Sequence, residues 1–409
     1  MKIIQINSVC GKGSTGRIAM DIAIESEKVG HSCYIVYGHG STTYSHSYKI
    51  GNKFDHIIHN MVFSRILGLQ GFGSILSTIR LTKWIDSHKP NVVHLHNLHA
   101  NYLNTGILFR YLSKRNIPIV FTLHDCYNFT GKCTYYTSVD CRRWKSECNH
   151  CPLKKRSGMP SLFFDWSKRI FRMKKKLYSS IKICHSVAVS KWLMKEAEQS
   201  ILHSNGHPIS YIYNWIDYNT FKPSTPSEAD KCKKKYGLSS NKKYLISVSQ
   251  EWLTGSIRLS DAIALAQLLP NDYTLILVGK IGRGVHLPDT VIHIPYISSK
   301  SELAILYSIA DAYIHFSIQD TFGLVIGEAM ACGTFPITYD STACAETPGP
   351  YGIVVPPRDI KAIINSLPLL DRMASQRDDM IEYVKTHYDR TTNIRQYINL
   401  YEQLCNTNQ

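Results

Sequence analysis

Hydrophobic positions in this chain fall into short apolar, β-branched runs separated by stretches with helical spacing. In the first half the runs are "KIIQIN", "SCYIVYG", "NVVHLHN" and "IPIVFTLHD", with helical sequence such as "GRIAMDIAIESEKVG" between them. The rhythm pauses at the Pro/Ser-bearing, basic segment 222–235, "KPSTPSEADKCKKK". It restarts with "KYLISVSQ", "YTLILVG", "VIHIPY", "DAYIHFS", "FPITYD" and "GIVVPP". Strands alternating with helices predict parallel sheets covered on both faces. The fold class expected is α/β, with two Rossmann-like, doubly wound domains and a cleft between them as the natural ligand site. The pattern divides the chain into 1–212, 213–385 and a helical terminal stretch 386–409 that is free to pack back on the N-terminal domain.

Length agrees, since 409 residues suit two cores of about 150–200 residues each. The composition, 44% apolar and 19% charged, is that of a globular protein. "MKIIQINSVCGKG" lacks the long apolar middle of an export signal. The apolar stretch "NMVFSRILGLQGFGSILSTIRL" carries Arg65, Gln70 and three glycines, which argues against a membrane-spanning helix. A cytoplasmic protein is expected, and in that compartment disulfides are rare.

Charge is uneven. Residues 142–195 hold 15 Lys or Arg against Glu147 and Asp165, out of a net +16. Within them, "SLFFDWSKRIFRMKKKLY" (161–178) sets Phe163, Trp166, Ile170, Met173 and Leu177 at helical spacing among cations. Such a helix suits an anionic membrane surface, or else packs its apolar stripe on its own domain. No nucleic-acid-binding signature accompanies the charge, so nucleic acid is not expected as a partner.

Two segments carry candidate chemistry. "GKGSTG" (11–16) follows the first strand and opens a helix. The second strand ends "YIVYGHG" without the acid that a dinucleotide ribose needs. Gly13 and Gly16 then belong to a turn whose amides can approach an anion. The second segment, 311–346, places Asp320 where an N-cap belongs, before a helix expected from Phe322 or Gly323 to Cys332. Apolar residues cover nearly all of that helix, and Glu328 sits in its middle. A carboxylate there needs partners. The two hydroxyls of a ribose would serve, as would an arginine of the core.

An acid, then Phe-Gly, a second Glu eight positions after the first, then Ala-Met-Ala-Cys-Gly resembles the donor signature of glycosyltransferase family 4. These are retaining enzymes of the two-domain GT-B fold. "NWID" (214–217) is similar to the family's interdomain turn, and "YTLILVGK" to its middle donor-domain strand. The resemblance implies that Glu328 holds the ribose. It sets Asp320, Phe322, Gly323 and Leu324 against the donor sugar, and His124 beside the sugar being transferred. The chain departs from the pattern at three places. Asp320 stands for the usual Glu, and Trp215 for a Gly that can take positive φ. Glu251 and Ser256 occupy the places of the usual pyrophosphate cations, leaving Arg258, Lys280 or Arg283 to supply the charge. The chain has no Asp-x-Asp motif, so catalysis without a metal ion is expected. The departing phosphate oxygen then acts as the base, and His124 and Asp320 position the reactants.

"HLHNLH" holds His94, His96 and His99. It reads as a metal site, as an acceptor pocket using His96 and Asn97, or as ordinary strand-end histidines. Cys133, Cys141, Cys148 and Cys151 form C-x7-C-x6-C-x2-C in a Cys-rich insertion, 126–151. Structural zinc, free thiols and disulfides are the options, and zinc is favoured. The resulting expectation is transfer of a hexose from a UDP or GDP sugar to a lipid-linked glycan at the cytoplasmic membrane face. Capsule, O-antigen and exopolysaccharide assembly all use such a step. A sugar-nucleotide epimerase and a non-catalytic nucleotide-sugar-binding protein are the alternatives.

Overall fold

In a computed structural model, which describes residues 1–156, 160–203 and 206–406, the chain forms two compact units. The first is Met1–Ile212 with Thr391–Gln409, and the second is Tyr213–Arg390.

The first unit holds seven parallel strands: β1 (Lys2–Val9), β2 (Ser32–His39), β3 (Ser47–Lys49), β4 (Val92–Leu95), β5 (Ile119–Leu123), β6 (Cys184–Ala188) and β7 (Ile209–Tyr211). Their order is β3-β2-β1-β4-β5-β6-β7. β4 and β5 are buried at every position, as befits strands covered on both faces. The order reverses between β1 and β4, whose register pairs Ile3 with Val92 and Ile6 with Leu95. At such a switch point the loops after neighbouring strands diverge and leave a crevice. Here those loops carry Gly11–Gly16 and His96–His99. The final helix, Arg390–Asn406, belongs to this unit. Tyr401 Oη lies 2.6 Å from His94 Nδ1 on β4, and Thr122 Oγ1 donates to Tyr397 Oη at 3.2 Å.

The second unit holds β8 (Lys243–Trp252), β9 (Tyr273–Ile281), β10 (Val291–Ile294), β11 (Ala312–His315), β12 (Phe335–Tyr339) and β13 (Ile353–Val355), all parallel, in the order β10-β9-β8-β11-β12-β13. Its switch point lies between β8 and β11. The segment after β8 carries Arg258, and the one after β11 carries Asp320.

The structure decides between the two readings of the basic segment and shortens its helix. In the basic segment the helix runs only from Ser167 to Ser179, so Phe163 and Trp166 precede it. Its Ile170, Phe171, Leu177 and Tyr178 are buried, so the apolar stripe covers the unit's own core instead of facing outward. Leu162, Phe163 and Phe164, which precede that helix, are exposed, and so is a second apolar surface. Residues 53–66 form a helix, Lys53–Ile58, that continues as a π-helical stretch, His59–Ile66. Its buried side chains are His56, His59 and Ser64, whereas Phe54, Ile57, Ile58, Met61, Val62 and Ile66 are exposed. Among the described residues no helix is long and apolar enough to cross a membrane.

Candidate functional site

In the second unit the helix after β11 spans Leu324–Ala331. Gly323 caps it in the left-handed conformation, φ 79°. A Cβ at that position would lie 2.8 Å from Ile326 Cδ1, so this glycine is required twice over. Asp320 is therefore not the N-cap expected from its place in the sequence. Its carboxylate turns back to β11, where His315 Nε2 lies 2.8 Å from Oδ2, and Tyr313 Oη lies 2.9 Å from His315 Nδ1. Arg258 donates from Nη2 to Ser317 Oγ at 2.7 Å and stands 3.9 Å from Asp320 Oδ2. Burial alone would raise the Asp320 pKa. His315 and Arg258 outweigh it and hold the carboxyl below its usual range.

Glu328 is half-buried, on the same helix face as Leu324 and Val325, while Ile326, Gly327, Ala329, Met330 and Ala331 are buried. The helix is thus less completely enclosed than its apolar sequence predicts, and the less buried stripe contains the carboxylate. Gly327 lets Ile216 of the "NWID" turn approach, since a Cβ there would meet Ile216 Cδ1 at 2.8 Å. Trp215 is buried and is not among the residues with positive φ. Phe322 is buried. Lys280 is exposed near the end of β9, in register with Glu251, with its ammonium 5.9 Å from the Tyr296 ring centroid. Of the three cations offered for the diphosphate, Arg258, Lys280 and Arg283, Arg258 is the one in the Asp320 cluster.

In the first unit the histidines of β4 and the segment after β5 form a chain. His96 Nε2 lies 2.9 Å from Gln5 Oε1, and His96 Nδ1 lies 2.9 Å from His124 Nε2. The Gln5 amide nitrogen donates to Ala19 O and Cys33 Sγ, which fixes its oxygen towards His96. A neutral His96 then carries its proton on Nε2 and accepts at Nδ1. His124 is accordingly held with a proton on Nε2. His96 is fully buried with both ring nitrogens engaged. Its side chain positions His124, which corrects the expectation that it contacts an acceptor. Asn97 is half-buried, and its Nδ2 lies 3.5 Å from Thr15 Oγ1 of the glycine-rich segment. Beside them His99 Nε2 lies 2.7 Å from Asp125 Oδ2, and the Tyr127 amide donates to Asp125 Oδ1 at 2.8 Å.

Gly13 begins the helix Gly13–Lys28 with φ 64°. A Cβ on Gly16 would lie 3.0 Å from Val9 Cγ2 and 3.3 Å from Gly11 N, so the turn closes tightly only with glycine. Cys133, Cys141, Cys148 and Cys151 line one small cavity of about 20 Å³ and are free thiols. The Gly131 amide donates to Cys148 Sγ at 3.2 Å. The ligand atoms of His315, Asp320 and Cys344 lie within 4.8 Å of one another. Sequence reasoning missed His315, Ser317 and Gln5. His315 ends a strand five residues before Asp320, which is the one signal that would have found it.

The two α/β units, with Asp320, His315 and Arg258 clustered after β11 and Glu328 on the following helix, agree with the class that the family models show, a glycosyltransferase of the GT-B fold. Residues 15–220, half of the chain, match the sequence profile of Glycosyltransferase Family 4, and residues 228–387 match that of Glycosyl transferases group 1. The chain belongs to glycosyltransferase family 4. The glycosyl transferase WcaC of Escherichia coli (strain K12), named for colanic acid biosynthesis, is 26% identical over 192 residues, covering 44% of this chain and 45% of WcaC. The chain spans less than half the length of the curated relatives it matches. A glycosyltransferase from Rickettsia africae superposes with TM-score 0.68 at 17% identity, covering 98% of each chain. Anabaena HepE in complex with UDP and glucose superposes with TM-score 0.66 at 15% identity, covering 98% of this chain and 100% of HepE.

Proposed function

We propose that the protein is a retaining glycosyltransferase that moves a hexose from a nucleoside-diphosphate sugar to a lipid-linked glycan in surface polysaccharide assembly. The observation carrying this reading is the arrangement of Arg258, Asp320 and His315 just before a helix that presents Glu328. The family resemblance gives Glu328 the ribose hydroxyls and Asp320 the donor sugar. Arg258 and the helix N-terminus suit a diphosphate. Membership of the family, the UDP and glucose seen with HepE and the name of WcaC all support it.

In this reaction the bond between the anomeric carbon and the phosphate oxygen breaks, and its electron pair stays on the diphosphate. Arg258 and the helix N-terminus stabilise that charge as it develops. The acceptor hydroxyl attacks from the side the diphosphate leaves, and its proton passes to the departing oxygen. His124 and Asp320 orient the sugar, and no step uses a metal ion. The outward apolar face of residues 54–66 supports work at a membrane surface, and we place the protein peripherally at the cytoplasmic face. Release of nucleoside diphosphate from a UDP or GDP sugar by the purified chain, lost in Glu328→Ala, tests the reading. Equal release by both proteins contradicts it.

We also infer that Cys133, Cys141, Cys148 and Cys151 hold a structural zinc ion. Four thiols around one cavity large enough for about one water-sized sphere form a donor set that zinc favours. The buried Lys132 interacts electrostatically with Cys133 and Cys151, and the buried Lys174 with Cys133 and Cys148, which favours negative charge on those sulfurs.

A further inference from the structure

Among the described residues of the second unit, Thr342 and Arg358 alone combine a side chain with a positive φ, at 55° and 66°. For a β-branched residue such as Thr342 that is a genuine outlier, and each position costs free energy that a glycine would not. Thr342 follows β12, and Arg358 follows β13 and precedes the helix Ile360–Met373. Both therefore lie at the carboxyl end of the parallel sheet, where the crevice of such a fold opens. Strain of this kind persists where the surroundings hold it, and it clusters at functional sites.

Each of the two holds one member of the pair formed by Arg258 and Asp320. Thr342 Oγ1 accepts from the Asp320 amide at 3.2 Å, and the Ala343 amide donates to Asp320 O at 3.2 Å. Arg358 acts at one remove. Its Nη2 and Nε donate to Asp261 Oδ1 at 3.1 and 3.3 Å, and Tyr339 Oη donates to Asp261 Oδ2 at 2.8 Å. Asp261 lies on the helix Ile257–Leu268, three positions after Arg258 and so on the same face. Its buried carboxylate has both oxygens held, which fixes the first turns of that helix to the end of β12 and the loop after β13. Stability accounts poorly for Arg358. Its side chain is 53% exposed, and an ion pair with so exposed a partner stabilises little, while the left-handed backbone opposes it. What the clamp does secure is the turn from which Arg258 reaches Ser317 and Asp320.

We propose that Arg358 is a positioning residue for the donor diphosphate: through Asp261 it fixes the helix turn that carries Arg258, while Thr342 fixes the opposing loop with Asp320. The inference rests on the glycosyltransferase reading and deepens its donor site. A cation that stabilises a developing charge is effective only when it is already in place, and a small misplacement is costly. Arg358 is not itself a catalytic residue, since its guanidinium is committed to Asp261.

A double-mutant cycle on the full chain tests it, with UDP and GDP affinities measured by calorimetry and kcat measured with saturating UDP or GDP sugar. Arg358→Gly removes the clamp and the strain together, so its Tm should stay within about 4 °C of wild type. Its affinity for the nucleoside diphosphate that the wild type binds should fall about tenfold, and kcat by at least as much. In an Arg258→Ala background the same substitution should change neither. Tyr339→Phe, which frees the other carboxylate oxygen, should act in the same direction, and Arg358→Lys, which keeps a cation, should recover part of the loss. Wild-type affinity and kcat in Arg358→Gly overturn the proposal. So does an equal loss with and without Arg258, which would leave the clamp a structural role alone. If the wild-type chain binds neither diphosphate, the donor reading fails and this inference with it. If it binds one and Arg358→Gly is silent, only this inference fails.

Discussion

His96 Nδ1 lies 2.9 Å from His124 Nε2, and the opposite nitrogen of His96 lies 2.9 Å from the side-chain oxygen of Gln5. A glutamine on the first strand thereby sets the proton position on a histidine at the end of the fifth. His96→Phe keeps a ring in the core but removes this control. It is expected to lower kcat on the order of a hundredfold, the cost of a small misplacement of a reacting group, with little change in the donor KM. Gln5→Glu should do the same by altering which proton His96 carries. A parallel rise in KM would show that His96 only shapes binding.

Acid should destabilise the first unit before the second. Burial is the main cause that lowers the His124 pKa, to about 4 from 6.5, and that lowers the His59 pKa to about 3. His94 and His96 are lowered in the same direction by burial. Between pH 6.5 and 4 the unfolded chain binds protons that the folded unit refuses, so stability falls as pH falls through that window. Each such histidine contributes a slope of at most about 1.4 kcal/mol per pH unit. Urea denaturation at pH 7.5, 6 and 5 checks this, and His124→Gln should flatten the slope.

Arg258 stands between Ser317 and Asp320. Arg258→Ala is expected to cost about 10²–10³ in kcat, as for loss of one donor to a developing anion. Arg258→Lys should recover part of that, because a single ammonium cannot span two partners as a guanidinium does. Rates measured with saturating donor test both variants. An unchanged kcat in Arg258→Ala would shift the role to Lys280 or Arg283.

The cysteine loop should purify with about one zinc per chain, measured by elemental analysis. Cys148→Ser should lose the metal and lower the Tm, because metal binding free energy is folding free energy. Absence of zinc from chain purified with its thiols reduced and intact would contradict the assignment.

The sheets were legible because buried parallel strands write themselves as continuous Val- and Ile-rich runs, and β4 and β5 are read directly that way. The helix bearing Glu328 was legible for the same reason, but its start was not. Asp320 has the chemistry of a cap, yet Gly323 begins the helix and His315 claims the carboxylate. That pairing depends on where β11 ends, which spacing alone does not give. The basic helix Ser167–Ser179 and the helix Lys53–Ile58 show a second limit. Periodicity shows that a helix has an apolar stripe, but only packing decides whether that stripe meets the core. For one of them it does, and for the other it faces outward.

The central claim, that Glu328 and its neighbours bind a nucleotide sugar, is tested most directly by thermal shift across nucleotides and nucleotide sugars, with wild type and Glu328→Ala. A ligand at a hundred times its Kd stabilises by about 2.7 kcal/mol, on the order of a few degrees for domains of this size. The account predicts a shift with one nucleotide family that the substitution abolishes. No shift with any of them, or one that Glu328→Ala leaves intact, would contradict it.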